Sequence, residues 1–196
     1  MDAWDKKRDV MQRYDLTAHM YDMRYAEEQT AKIKAALKKA KVGSKSVVLD
    51  VGCGTGVLFP YIAEEAQTVV GIDISKQTLL QAKKLRKELP KVHLIEADAD
   101  NLPFGSSIFD RVFAMTVIQN TPNPSETLRE ISRVALSNAL MVITGLKKIF
   151  SMKAFERLLT QTNLNKIDLE KDGLQCYVAV CVKTFPNALS NVDSEE

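Results

Sequence analysis

The sequence predicts an α/β fold: a doubly wound, mostly parallel seven-stranded sheet with helices on both faces, closed by an antiparallel C-terminal hairpin strand. Three observations predict it. Five short apolar runs between residues 46 and 144 are separated by helix-patterned or loop segments, an alternation that implies parallel strands joined by crossovers. The first run, Val47-Val48-Leu49-Asp50-Val51, leads into Gly52-Cys53-Gly54-Thr55-Gly56, a strand followed by a glycine loop that brings backbone close to a ligand. Near the C-terminus two alternating stretches flank Asp172-Gly173, a hairpin signal.

Residues 1–23 are polar with interspersed aromatics (Trp4, Tyr14, Tyr21). From about Arg24 to Val42, apolar or small residues at Ala26, Ile33, Ala36, Leu37 and Ala40 suit an amphipathic helix, which Gly43 stops. Ser46–Val51 is the first strand. Val57–Ala66 reads as the helix after the loop, with Pro60 tolerated in its first turn, where amides lack intrahelical partners. Thr68–Ile72 is the second strand, Lys76–Leu89 a helix closed by Pro90, and Val92–Glu96 the third strand. A loop over Asp98–Ser107 precedes the fourth strand, Phe109–Met115. A proline-punctuated segment, Asn120–Ser125, leads to a helix ending near Val134, then a strand at Ala139–Thr144 and a helix at Met152–Thr162. The hairpin strands are Lys166–Lys171 and Gln175–Lys183. The expected organisation is an N-terminal helical lid segment (residues 1–45), a core (46–185) and a flexible acidic tail (186–196).

With 196 residues, 45% hydrophobic and 27% charged, the chain has the composition of an ordinary globular domain. A net charge of +2 is too small to argue by itself for a polyanionic partner. Cys53, Cys176 and Cys181 make neither a metal-ligand spacing nor a disulfide framework, which fits a reduced cytoplasmic setting. No signal peptide or membrane-span pattern is expected, and no metal site.

A glycine loop before a helix ordinarily suggests phosphate. Here Asp50 stands two residues before the first glycine, and a carboxylate there suits a cationic ligand instead. Asp73 follows the second strand, seventeen residues after Gly56, where a ribose diol would lie and could donate to it. Asp98 follows the third strand and could accept from an amino group on a base. The pattern fits a nucleoside with a cationic, amine-bearing substituent, which is the description of S-adenosylmethionine.

The chain resembles the class I S-adenosylmethionine-dependent methyltransferases, with their Rossmann-like fold, and within them the ubiquinone/menaquinone-biosynthesis branch. The resemblance runs over about residues 14–183. It rests on Val48–Gly56, Gly71-Ile72-Asp73-Ile74-Ser75, Ala97-Asp98-Ala99-Asp100-Asn101-Leu102-Pro103-Phe104 and Phe109-Asp110-Arg111-Val112. Tyr14–Asp22 is similar to the Tyr-Asp…Ala…Tyr-Asp segment that precedes this core. The resemblance implies that Asp50 and the backbone at Gly52 and Cys53 hold the methionine end. By the same likeness Gly54 and Gly56 allow close approach, and Asp73 binds the ribose. Ile74 packs on adenine, and Asp98 and the Ala99 amide read its edge. Met115 and Thr116 lie near the methyl, and the implied product is S-adenosylhomocysteine. Tyr21 is implied as a lid residue.

Each residue also has a plainer reading. Asp50 and Asp73 could cap the following helices, though their joint register favours the ligand reading. Cys53 is a variable loop position rather than a nucleophile. His93 is structural, and His19 is either structural or substrate-side. Tyr14, Tyr21 and Tyr25 could simply cover the core, Asp100 and Glu96 are loop or surface carboxylates, and the lysines from Lys32 to Lys45 form a solvated face.

The acceptor is less legible. Relatives carry His-x-Pro-Asp-Pro after the fourth strand; here the segment is Gln119-Asn120-Thr121-Pro122-Asn123-Pro124. Asn120 could orient an acceptor nitrogen through its amide oxygen, or Asn120 and Asn123 could be turn residues. The acceptor reads as a small molecule or as RNA or protein nitrogen, with Lys147, Lys148 and Lys153 available to phosphates. Oligomeric state is open. The competing classes are a non-catalytic cofactor-binding scaffold or partner-dependent subunit, and a nicotinamide-dependent oxidoreductase, which Asp50 and the glycine spacing disfavour.

Overall fold

The computed structural model describes residues 2–183, with the side chains of residues 17–26 outside the description. The expected tail at 186–196 therefore lies outside the described residues. Seven strands, β1 (Val47–Val51), β2 (Thr68–Asp73), β3 (Val92–Glu96), β4 (Phe109–Ala114), β5 (Ala135–Leu146), β6 (Leu164–Glu170) and β7 (Cys176–Lys183), form one sheet in the order β3-β2-β1-β4-β5-β7-β6. Strands β1 to β5 pair in parallel, while β7 runs antiparallel to both β5 and β6. The predicted Rossmann-like doubly wound fold is the observed one. The hairpin enters with its second strand innermost, and Gly173, at φ +70°, supplies the turn that Asp172-Gly173 foretold.

The chain leaves β1 toward one edge through β2 and β3, then returns to place β4 on β1's other side. That reversal opens a crevice at the carboxyl ends of β1 and β4, where ligands of such sheets bind. Alternation along the strands feeds two cores. Leu49, Ile72, Val112 and Met141 pack under α4 (Pro124–Val134) and α5 (Met152–Gln161). Val48, Val69, Phe113 and Val142 pack under α1 (Ala3–Lys39), α2 (Phe59–Ile62) and α3 (Lys76–Arg86).

Three expectations need correction. The N-terminal region is one 37-residue helix rather than a polar lead-in followed by a helix from Arg24. A capping box starts it: Asp2 accepts from the Asp5 N–H, and Asp5 accepts from the Asp2 N–H. Its second half seats Ile33, Ala36 and Ala40 in the core shared with the sheet. The helix after the glycine loop shrinks to four residues, Phe59–Ile62, with Pro60 at its start as expected. Strand β5 begins at Ala135, opposite Phe109, and is twice as long as its apolar run suggested, because a register irregularity carries the polar Ser137-Asn138 between that pair and the regular ladder from Leu140.

Candidate active site

At the carboxyl ends of β1 to β4 lies a cavity roofed by the first half of α1. Of the predicted cofactor residues, Asp50, Gly52, Cys53, Gly54, Asp73, Ile74, Asp98, Ala99, Met115 and Thr116 line it, and so does Asn120. Gly56 does not. A Cβ there would sit 2.6 Å from two ring atoms of Phe59, so this glycine makes room for a buried aromatic beneath the loop. Gly71 on β2 makes room for the tip of the same ring, with its built Cβ 2.6 Å from Cζ. Gly52 serves a similar purpose toward Val117, whereas Gly54 has no neighbour within 4 Å of a built Cβ. Gly52, Gly54 and Gly56 all have positive φ (+65°, +55° and +86°), a region costly for residues with a Cβ.

Two acids sit deepest. Asp50 is 3% exposed, and burial, with the Asp73 charge second, raises its carboxyl well above the ordinary range. Among the described residues nothing forms an ion pair or a side-chain hydrogen bond with Asp50. Asp73 is also raised by burial, although four hydrogen bonds oppose the shift, the Ser75 and Gly54 N–H groups foremost. One of its oxygens accepts from Gly54 N and the other from Ser75 N, each at 2.8 Å. Neither acid is a helix cap: α2 has no side-chain cap, and α3 is capped by Ser75, which accepts from Thr78 N. Asn123, by contrast, does cap α4 through the Ser125 N–H.

The helix α1 reaches into this site with residues that periodicity did not mark. Lys7 Nζ lies 2.5 Å from Asp98 and 2.9 Å from Asp100. Lys6 donates to the Thr121 carbonyl at 2.7 Å, and Asp15 accepts from the Ser75 hydroxyl at 2.5 Å. Tyr14 lines the cavity rather than merely covering the core. The only forewarning in the sequence was the Tyr14–Asp22 segment. The side chains of Tyr21, His19 and Tyr25 lie outside the described residues.

After β4 the backbone turns through Thr116 at φ +66°, an outlier for a β-branched residue. Its N–H donates to Thr144 Oγ1 at 2.7 Å, its carbonyl accepts from Asn120 Nδ2 at 2.8 Å, and Lys32 Nζ donates to its hydroxyl at 3.1 Å. Asn120 Nδ2 also donates to Tyr14 OH at 3.0 Å, while Arg13 donates to Asn120 Oδ1 at 2.9 Å. The amide oxygen proposed for an acceptor nitrogen is thus met by a guanidinium. Gln119 has both amide atoms buried with no hydrogen-bond partner.

Other expectations shift. Lys32 is only 4% exposed, so it leaves the solvated face to Lys34, Lys38, Lys39, Lys41 and Lys45. Lys147 donates to the Lys171 and Leu174 carbonyls, tying the hairpin rather than presenting its charge outward. Asp100 accepts from the Thr127 hydroxyl at 2.5 Å and is a structural anchor as well as a loop acid. His93 is exposed on the β3 edge. Burial raises Cys53 well above a normal thiol and moves Cys176 to about 11 and Cys181 to about 12, so all three are poor nucleophiles. No group of described residues could hold a metal ion, and no described helix is long and apolar enough to cross a membrane.

A family model described as "Methyltransferase domain" matches residues 49–143. A demethylmenaquinone methyltransferase of Staphylococcus saprophyticus is 32% identical over 112 residues, covering 56% of this chain and 48% of that protein. The chain spans 61%, 54% and 48% of the length of three curated relatives it matches. Among solved structures, the 1,6-didemethyltoxoflavin-N1-methyltransferase of Burkholderia thailandensis, holding its substrate and S-adenosylhomocysteine, superposes with a TM-score of 0.82 at 15% identity, covering 94% and 92% of the two chains. A Haloferax volcanii chain solved with the Trm112 methyltransferase activator reaches a TM-score of 0.77 at 16% identity, covering 88% and 98%. At these identities the structural likeness speaks for the fold.

Proposed function

From the premise that this chain belongs to the class I S-adenosylmethionine-dependent methyltransferases, we propose that it transfers a methyl group from S-adenosylmethionine to an acceptor bound beyond β4. The observation that carries the reading is Asp50. A buried carboxylate without a cation among the described residues, on the wall of a cavity, asks for a positively charged ligand group. The methionine ammonium meets that need, so the residues present fit the cofactor.

Asp50 would hold the ammonium. Asp73 would also accept from ribose hydroxyls, beside the Gly54 and Ser75 N–H groups it already accepts from. Ile74 and Ala99 would flank the adenine, with Asp98 at its edge, and Lys7 holds that edge acid in place from α1. When bound, the cofactor supplies an electrophilic methyl: the acceptor's lone pair forms the new bond to carbon, and the broken carbon–sulfur pair returns to sulfur. The chain contributes alignment and exclusion of water. Residues 1–45 act as the lid segment in this reading, with Tyr21 as a lid residue over the cofactor, and Asn120 belongs to the acceptor side. Asn120 fixes the Thr116 carbonyl and Tyr14 in position.

A second reading is a partner-dependent subunit, favoured by the likeness to the chain solved with a methyltransferase activator. The cytoplasm is the proposed location. Calorimetry with S-adenosylhomocysteine tests the cofactor site, and NADH is the control: binding of NADH alone refutes the proposal. Incubation with methyl-labelled cofactor, followed by separation of RNA, protein and small-molecule fractions, finds the acceptor. Tight cofactor binding with no label transferred in any fraction, even with an activator protein added, favours a scaffold.

A further inference from the structure

Behind the Thr116 end of the cavity stands a lysine that forms no ion pair among the described residues. Lys32 is buried on α1, and its ammonium has three N–H donors. One goes to Thr116 Oγ1 at 3.1 Å, and among the described residues no other acceptor takes the remaining two. Cys176 and then Glu28 are its electrostatic neighbours, but neither forms an ion pair with it, and Glu28 instead accepts from the Gln175 N–H at 3.0 Å. Thr116 and Gln29, one turn before Lys32, both line the cavity, so the ammonium stands directly behind its wall. Burial lowers the lysine's pKa, a strain that a partner anion would relieve. The same post-β4 stretch holds Gln119, whose buried amide lacks partners. Unmatched polar groups of this kind are uncommon in folded proteins and call for an explanation.

We infer that Lys32 is a specificity-determining residue, whose ammonium receives an anionic oxygen of the methyl acceptor at the Thr116 end of the cavity. The inference rests on the methyltransferase reading, which places the reacting methyl beside Thr116. With the cofactor bound, a sulfonium joins this ammonium near the Thr116 end. A protonated amine acceptor would bring a further positive charge into the same low-dielectric space, whereas a carboxylate, phenolate or enolate oxygen offsets one. Selection by repulsion works beside selection by attraction here. Among acceptors of similar size, the site therefore prefers oxygen acids to amines.

The test uses the full chain saturated with S-adenosylhomocysteine and two matched probes, benzoate and benzylamine, titrated by calorimetry. Benzoate is expected to bind at least about tenfold more tightly than benzylamine, the scale of one buried charge pair. Lys32→Met should remove that preference, and Lys32→Arg should retain it, with S-adenosylhomocysteine affinity within about twofold of the parent in both. Should Lys32→Met not fold by circular dichroism, Lys32→Gln makes the same comparison. Equal binding of the probes, binding of neither, or an unchanged preference without Lys32 overturns the inference while leaving the cofactor reading intact. Failure of S-adenosylhomocysteine to bind the parent chain overturns both.

Discussion

Replacing Gly56 with alanine separates the two tasks that a glycine loop performs. At φ +86° an alanine meets backbone strain of about 1–2 kcal/mol. Its Cβ would also lie 2.6 Å from Cδ2 and Cε2 of Phe59, a fully buried ring whose tip also abuts Gly71. Overpacking of that kind costs about 1–3 kcal/mol, so Gly56→Ala should lose about 2–5 kcal/mol in total. Gly54→Ala is the control: its φ is +55°, but nothing lies within 4 Å of the added carbon, so only the backbone part, about 1–2 kcal/mol, applies. Urea unfolding followed by far-ultraviolet circular dichroism measures both. Tryptophan fluorescence would be a poor probe, because the single tryptophan, Trp4, is 53% exposed on the first helix. A chain of this size should show about 2–4 °C of midpoint loss per kcal/mol in a thermal scan. Equal losses for the two variants would refute the account of Gly56 as a seat for Phe59.

Asp50→Asn should weaken S-adenosylhomocysteine binding by about 2 kcal/mol or more, near thirtyfold, by calorimetry. Because burial raises the folded Asp50 pKa, the unliganded parent loses stability as pH rises above the unfolded value of about 3.9; the variant should therefore melt higher than the parent at pH 7, with the gap closing toward pH 4. Thr116→Val leaves the Lys32 ammonium without its hydroxyl and should cost about 1–3 kcal/mol. In a double-mutant cycle scored by urea unfolding, the Lys32→Met/Thr116→Val pair should recover part of that loss. Glu130 is held below the usual carboxylate range, first by its hydrogen bonds with Arg133, with burial opposing and the Leu102 N–H assisting. Its stabilisation is present above the unfolded pKa of about 4.3 and lost as pH falls through the lower folded value, so Arg133→Ala should flatten the acid limb of a urea-midpoint profile.

The parts legible in the sequence are those whose cause is local. The apolar run before Asp50, the three glycines and the Asp172-Gly173 turn each carry their conformation in their own residues, and the mostly parallel sheet followed from alternation. The first half of α1 carries no such signal. It is held by Lys6, Lys7 and Asp15, whose partners Thr121, Asp98 and Ser75 lie far away in the chain. Charged residues at those positions read equally well as solvent-facing. Lys32 misled for the same reason: a lysine among lysines carries no mark of burial, and its environment is made by Thr116. The role of Gly56 was misassigned because a glycine that makes room for an aromatic four ångströms or less away looks, in sequence, like one that makes room for a ligand.

Asp73 has a consequence beyond its place in the cavity. One carboxylate fastens the amide of Gly54, in the loop after β1, to that of Ser75, at the start of α3. The two loops that would grip opposite ends of a nucleoside are thereby a single mechanical body before any ligand arrives. Their amides should exchange with solvent through one shared opening event, and a ligand entering between them meets a rigid jaw with little further ordering to impose.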